Sequence, residues 1–142
     1  GGITRMLDMG VEDYLLTSTI NAILAQRLVR TLGKGAREKV QLLPEVAAEI
    51  GFASFLDQDT YTVYRPIATE DNPTGYFGRT SILELLQMTD NIRRLVMQQA
   101  TSGQIHDMAV QEGMRTMYQD GLLKCLQGIT TLEEILRVTQ EA

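Results

Sequence analysis

Apolar residues Leu16, Ile20, Ile23, Leu24 and Leu28 recur at i, i+4, i+7, i+8 and i+12, the spacing of one helix face. Asn21, Gln26 and Arg30 fall away from that stripe. The run INAILAQRLVRTL is therefore expected to be a helix, with Gly33 as its C-terminal stop. A shorter helical piece, ITRMLDM, precedes it and ends at Gly10. Such a stripe has to pack on something, so Ile20 to Leu28 is also an apolar surface able to drive association.

After Gly33 the pattern changes. PEVAAEIG reads as a short helix, with Pro44 in its first turn and Gly51 at its C-terminal stop. DQD is a turn, and TYTVYRPIA, rich in β-branched and aromatic residues, is a strand ending near Pro66. TEDNPTGYFG is dense in turn formers, which makes Tyr61 to Gly78 a hairpin-like element. RTSILELLQM is open to two readings: a helix capped by Ser81 and Glu84, or the strand returning after GYFG. TDNIRRLVMQQA is a helix capped by Thr89 or Asp90, with Ile92, Leu95 and Val96 on one face and Gly103 closing it. IHDMAVQEGMRTMYQDGLLKCLQG is punctuated by Gly113, Gly121 and Gly128. Thr131 and Glu134 give the best capping-box pattern in the chain, opening LEEILRVTQ. From Ser81 onward the expectation is a set of short helices, and the overall class is α+β, mainly α.

Composition narrows the chemistry. A chain of 142 residues holds one domain with a sizeable core, or two small ones. The net charge of -5 and the scattered basic residues argue against a nucleic-acid surface. The longest uncharged stretch, YLLTSTINAILAQ, is too short and too polar to span a bilayer, and no signal-peptide pattern is present. Cys125 is the only cysteine and His106 the only histidine. That excludes a disulfide framework and a conventional structural zinc site built from this chain alone. The chain opens on GGITRMLDMG without an initiator Met, as expected of a fragment of a larger protein.

LGKGAREK invites a phosphate-loop reading, which fails on spacing. A Walker A loop needs a first glycine where Leu28 stands and a Ser or Thr where Gly35 stands. Lys34 then belongs to a helix cap and loop.

Four segments occur in order: ITRMLDMGVEDYLL, ILAQRLVRTL, TGYFGRTSILELL and GMRTMYQDGLLKCLQGITTLEEILRVT. Together they resemble the C-terminal portion of the type II secretion and type IV pilus assembly ATPases, the GspE/PulE/PilB group. The resemblance covers nearly the whole chain and is weakest from Lys34 to Asp59. It implies a cytoplasmic, hexameric, RecA-like motor peripheral to the bacterial inner membrane. Such a motor binds an inner-membrane platform and uses ATP and Mg²⁺ to drive extrusion. It further implies three parts: residues 1–32 as the tail of the RecA-like core, 33–80 as a small hairpin module that often binds zinc, and 81–142 as a C-terminal helical subdomain. In the family order the Walker A loop, the acidic boxes and the His box precede the residues present here. The chain alone is therefore expected to hold neither ATP nor Mg²⁺ and to be inactive, without nucleic-acid binding or membrane insertion. A stand-alone, non-catalytic helical adaptor docking on a membrane platform is the alternative.

The resemblance also explains LGKGAREK. Many members carry two Cys-x-x-Cys pairs at positions corresponding to Gly33 and Ala36, and to Ala68 and Asp71. All four thiolates are absent, so no zinc is expected. Phe52, Phe55, Tyr61, Val63, Tyr76 and Phe77 are the candidates for an apolar staple in its place. Gln26 and Arg27 match the family's AQR, and Arg79 ends GYFGR. Each either contacts a neighbouring subunit or orients the core, and the structural role is preferred. His106 reads as a surface histidine, Cys125 as a buried inert thiol, and Met108, Met114 and Met117 as a core stripe. Glu133 and Glu134 read as capping and dipole complements.

Overall fold

The computed structural model describes residues 19–140. Among them the chain is α+β, with two two-stranded sheets and five α-helices. The ITRMLDM segment and Leu16 lie outside the described residues.

The first difference from expectation is β1, Ala22–Leu32, a strand where a helix was expected. Leu, Ala, Gln and Arg favour helix in isolation, and pairing with β4 overrides that preference. Burial follows a two-residue repeat over much of the strand. Leu24 and Leu28 are 58% and 54% exposed, Gln26 between them is exposed, and Ile23 and Val29 turn inward. Gly33 accordingly does not stop a helix. It opens a tight turn in which the Ala36 N–H donates to the Gly33 carbonyl at 3.2 Å.

β2, Arg37–Gln41, pairs antiparallel with β3, Thr62–Pro66, placing Arg37 opposite Pro66 and Gln41 opposite Thr62. Between them lie α1, Pro44–Ile50, and a 3-10 turn, Phe52–Ser54. The expected caps of α1 are present: Pro44 opens it, and Gly51 closes it with φ 103°, its N–H donating to Ala47 at 3.1 Å. The hairpin expected over Tyr61 to Gly78 does not form. Its two arms enter different sheets, β3 joining β2 and β4, Tyr76–Gln87, joining β1. RTSILELLQM is thus the strand of the two readings, and the Ser81–Glu84 cap is not used.

The remaining helices are α2, Asp90–Met97, α3, Ser102–Gln111, α4, Met117–Leu126, and α5, Leu132–Gln140. Thr89 caps α2 by accepting from Ile92 N–H at 3.2 Å. Gly103 does not close that helix. It lies in the first turn of α3, which Thr101 and Gln104 open with a reciprocal capping box. Gly121 is likewise inside α4 rather than at a break.

The described residues fall into two units, each with its own core. The first comprises 19–25 and Leu83–Thr116, and the second Gln26–Ile82 and 117–140. In the first, Met88, Ile92, Val96, Ile105 and Ala109 are buried, with Ile23, Leu86, Met108 and Met114 packed on them. In the second, Val29, Phe52, Val63, Ile82, Leu122, Cys125 and Ile135 are among the buried residues, and Met117 packs there. The expected methionine stripe is therefore divided between two cores. Of the expected staple, Phe52 and Tyr61 stack with ring centroids 5.0 Å apart. Phe55 and Val63 join the same core, whereas Phe77 is 51% exposed and lies outside it.

Gly121 sets the approach of α4 to α5, because a Cβ there would lie 2.7 Å from Ile135 Cδ1 and 2.9 Å from its Cγ2. Gly121→Ala gains about 1 kcal/mol of helix propensity but incurs an overpacking cost of about 1–3 kcal/mol. A lower urea midpoint at unchanged slope is the expected result, with part of the loss recovered when Ile135→Val trims the facing side chain. A midpoint that rises would show that the two helices part without cost.

Candidate functional site

The one buried charge among the large fully buried side chains is Glu134, 0% exposed near the start of α5. Its carboxylate is saturated by donors. Oε2 accepts from Arg30 backbone N–H at 2.8 Å and from Arg137 Nη2 at 2.9 Å. Oε1 accepts from Arg30 Nη2 at 2.7 Å and from Arg137 Nε at 3.1 Å. Arg137 arrives from the same helix at i+3, whereas Arg30 arrives from β1. The expected cap is half present. Thr131 Oγ1 accepts from the Glu134 N–H at 3.1 Å, but the carboxylate turns to the arginines instead of reaching back to the helix start.

Burial alone would push the Glu134 carboxyl up. The hydrogen bonds from Arg137 and Arg30, the Arg30 backbone N–H and the charge of Arg30 outweigh it and hold the carboxyl at about 2. The hydrogen bond from Arg30 to Glu134 in turn raises the guanidinium above its ordinary value.

Around this centre lies a second layer of contacts. The Arg30 guanidinium carbon lies 4.2 Å from the Tyr76 ring centroid. The Tyr76 hydroxyl hydrogen-bonds to Thr131 Oγ1 at 2.9 Å, and burial raises the Tyr76 phenol. Thr130 Oγ1 donates to the Arg30 carbonyl at 2.7 Å, and the Leu32 N–H donates to the Ile129 carbonyl at 2.9 Å. Arg37, stacked 4.6 Å from the Tyr64 ring centroid, donates to the Gly128 carbonyl at 2.6 Å. Gly128 has φ 76°, and a Cβ there would fall 2.2 Å from Arg37 Nη1. The positive φ favours glycine, and a larger residue would also push the Arg37 guanidinium off the Gly128 carbonyl.

This arrangement binds β1, β2, β4 and α5 together. The carboxylate has no lone pair aimed at open space, and Cys125 is a thiol pushed up to about 12 by burial. His106 Nε2 stands 3.9 Å from Glu84 Oε1. Among the described residues no cluster of three His, Cys, Asp or Glu side chains is placed to hold a metal.

Of the residues singled out from sequence, Glu134, Thr131 and Tyr76 meet in this network, whereas Gln26, Arg27 and Arg79 make none of these contacts. Gln26 and Arg27 are both exposed on β1, and as strand neighbours they point to opposite sides, so the pair does not share a helix surface. Arg79 is exposed on β4. The arginine that enters the buried network is Arg30, which the sequence reading placed only as a residue off the apolar stripe. Arg137 and Thr130 were also missed. The i, i+3 spacing of Glu134 and Arg137 was a legible signal, but the partnership with Arg30 was not. The segments expected to correspond to zinc pairs do lie side by side: the Ile67 N–H donates to the Ala36 carbonyl at 3.2 Å, beside a Thr69–Asn72 turn. The side chains there are Gly33, Ala36, Ala68 and Asp71, and they do not fit a tetrahedral zinc. A Cβ at Gly33 would also meet the Phe77 ring at 2.8 Å.

Removing Glu134 takes the shared acceptor from two guanidinium groups that are 43% and 47% exposed and can turn to water, so Glu134→Ala is expected to cost about 1–3 kcal/mol in denaturant unfolding. The folded carboxyl lies below its ordinary 4.5, at about 2. Its stabilisation is therefore complete above pH 4.5 and is lost as pH falls through about 2. Glu134→Gln should fall less steeply in stability across that window than the parent sequence. Equal slopes would show that Glu134 does not carry the charge assigned to it.

The family model described as "Type II/IV secretion system protein" matches residues 1–137. The chain is 55% identical over 142 residues to a type II secretion system protein E from Xanthomonas campestris, covering all of this chain and 25% of that protein. It is 36% identical over 140 residues to the type IV pilus assembly ATPase PilB of Pseudomonas aeruginosa, covering 98% of this chain and 24% of that one. It is 40% identical over 143 residues to a type II secretion system protein E from Aeromonas hydrophila, covering 99% and 28%. The chain thus spans about a quarter of the length of these relatives.

Proposed function

From the premise that the chain belongs to the type II/IV secretion system protein family, we propose that it is a non-catalytic, scaffold-and-docking portion of a motor ATPase. The parent motor would be a RecA-like hexamer that hydrolyses ATP with Mg²⁺ beside the bacterial inner membrane, partnered by platform proteins of the secretion or pilus machinery. The relative PilB of Pseudomonas aeruginosa is a type IV pilus assembly ATPase, which supports the class of the parent reaction. The observation that carries the division of labour is the missing phosphate loop. Phosphoryl transfer needs a backbone cradle with its lysine and a held Mg²⁺. LGKGAREK, the glycine–lysine run tested above, lacks the spacing, and the buried network around Glu134 is saturated by its own arginines.

In this reading residues 1–32 belong to the motor core, 33–80 to a small module that dispenses with zinc, and 81–142 to a helical subdomain. Gln26, Arg27 and Arg79 are core-orienting residues or contacts with a neighbouring subunit, and their exposure in the described fold is compatible with the latter. The 55% identity to the Xanthomonas campestris E protein favours type II secretion over pilus assembly, while other E and PilB relatives overlap at 36–40%. Among the described residues no helix is long and apolar enough to cross a membrane. The second reading, a stand-alone adaptor, keeps the same docking role without any motor.

Two measurements test the proposal. ATP turnover by the purified chain should stay at buffer level, while the full-length parent hydrolyses ATP. Turnover that follows the chain through every purification step would overturn the non-catalytic assignment, and an upstream coding region without a Walker A lysine would favour the adaptor. Metal analysis should find far less than one zinc per purified chain. A stoichiometric zinc that survives dialysis against chelator would refute the metal-free module.

A further inference from the structure

We draw no further inference here: the strongest candidate, the exposed leucine face that Leu24, Leu83 and Leu85 present on the first unit's part of the β1–β4 sheet, carries none because nothing in the structure shows what covers it.

Discussion

A carboxylate sealed from water must be given its counter-charges by the fold, and in the second unit that requirement organises the rest. Glu134 is wholly buried, so leaving it unpartnered would cost several kcal/mol, about the whole stability of a small domain. Its donors come from its own helix and from a strand 104 residues earlier in the chain. Arg30 can reach it only if β1 runs past the start of α5 in one register. That register in turn lets the Thr130 hydroxyl and the Leu32 N–H close their own bonds across the same seam. The apolar core underneath, with Val29, Ile82 and Ile135, supplies most of the burial energy. The charge network selects which arrangement of that core is permitted.

Tyr76 ties β4 into the same seam. Its ring lies against the Arg30 guanidinium and its hydroxyl meets Thr131. β2 joins through Arg37, which grips the Gly128 carbonyl while resting on Tyr64 of β3. Two cation–ring stacks and one buried carboxylate therefore connect elements that are remote in sequence. The two oxygens of the Glu134 carboxylate each accept two hydrogen bonds within this network. Among the described residues no buried side-chain nitrogen or oxygen lacks a partner.

Local signals were legible and long-range ones were not. Pro44 with Gly51, Thr89 before α2 and Thr131 before α5 announced helix ends because capping is decided within four residues. β1 was misread because leucines at 24 and 28 and isoleucine at 20 are spaced by four, which suits a helix face and is equally a multiple of the strand period. REKVQ carries one apolar residue and became β2 only through pairing with β3. Arg30 stood three residues from the motif arginine that drew attention. Its importance depends on a partner near the far end of the chain, which no local pattern could reveal.

The same network constrains how such a sequence can drift over generations. Replacing Arg30 or Arg137 singly removes donors from the buried Glu134 carboxylate, and replacing Glu134 removes the acceptor that both arginines share. Changes at the three positions are therefore non-additive, because each alters what the other two are paired with.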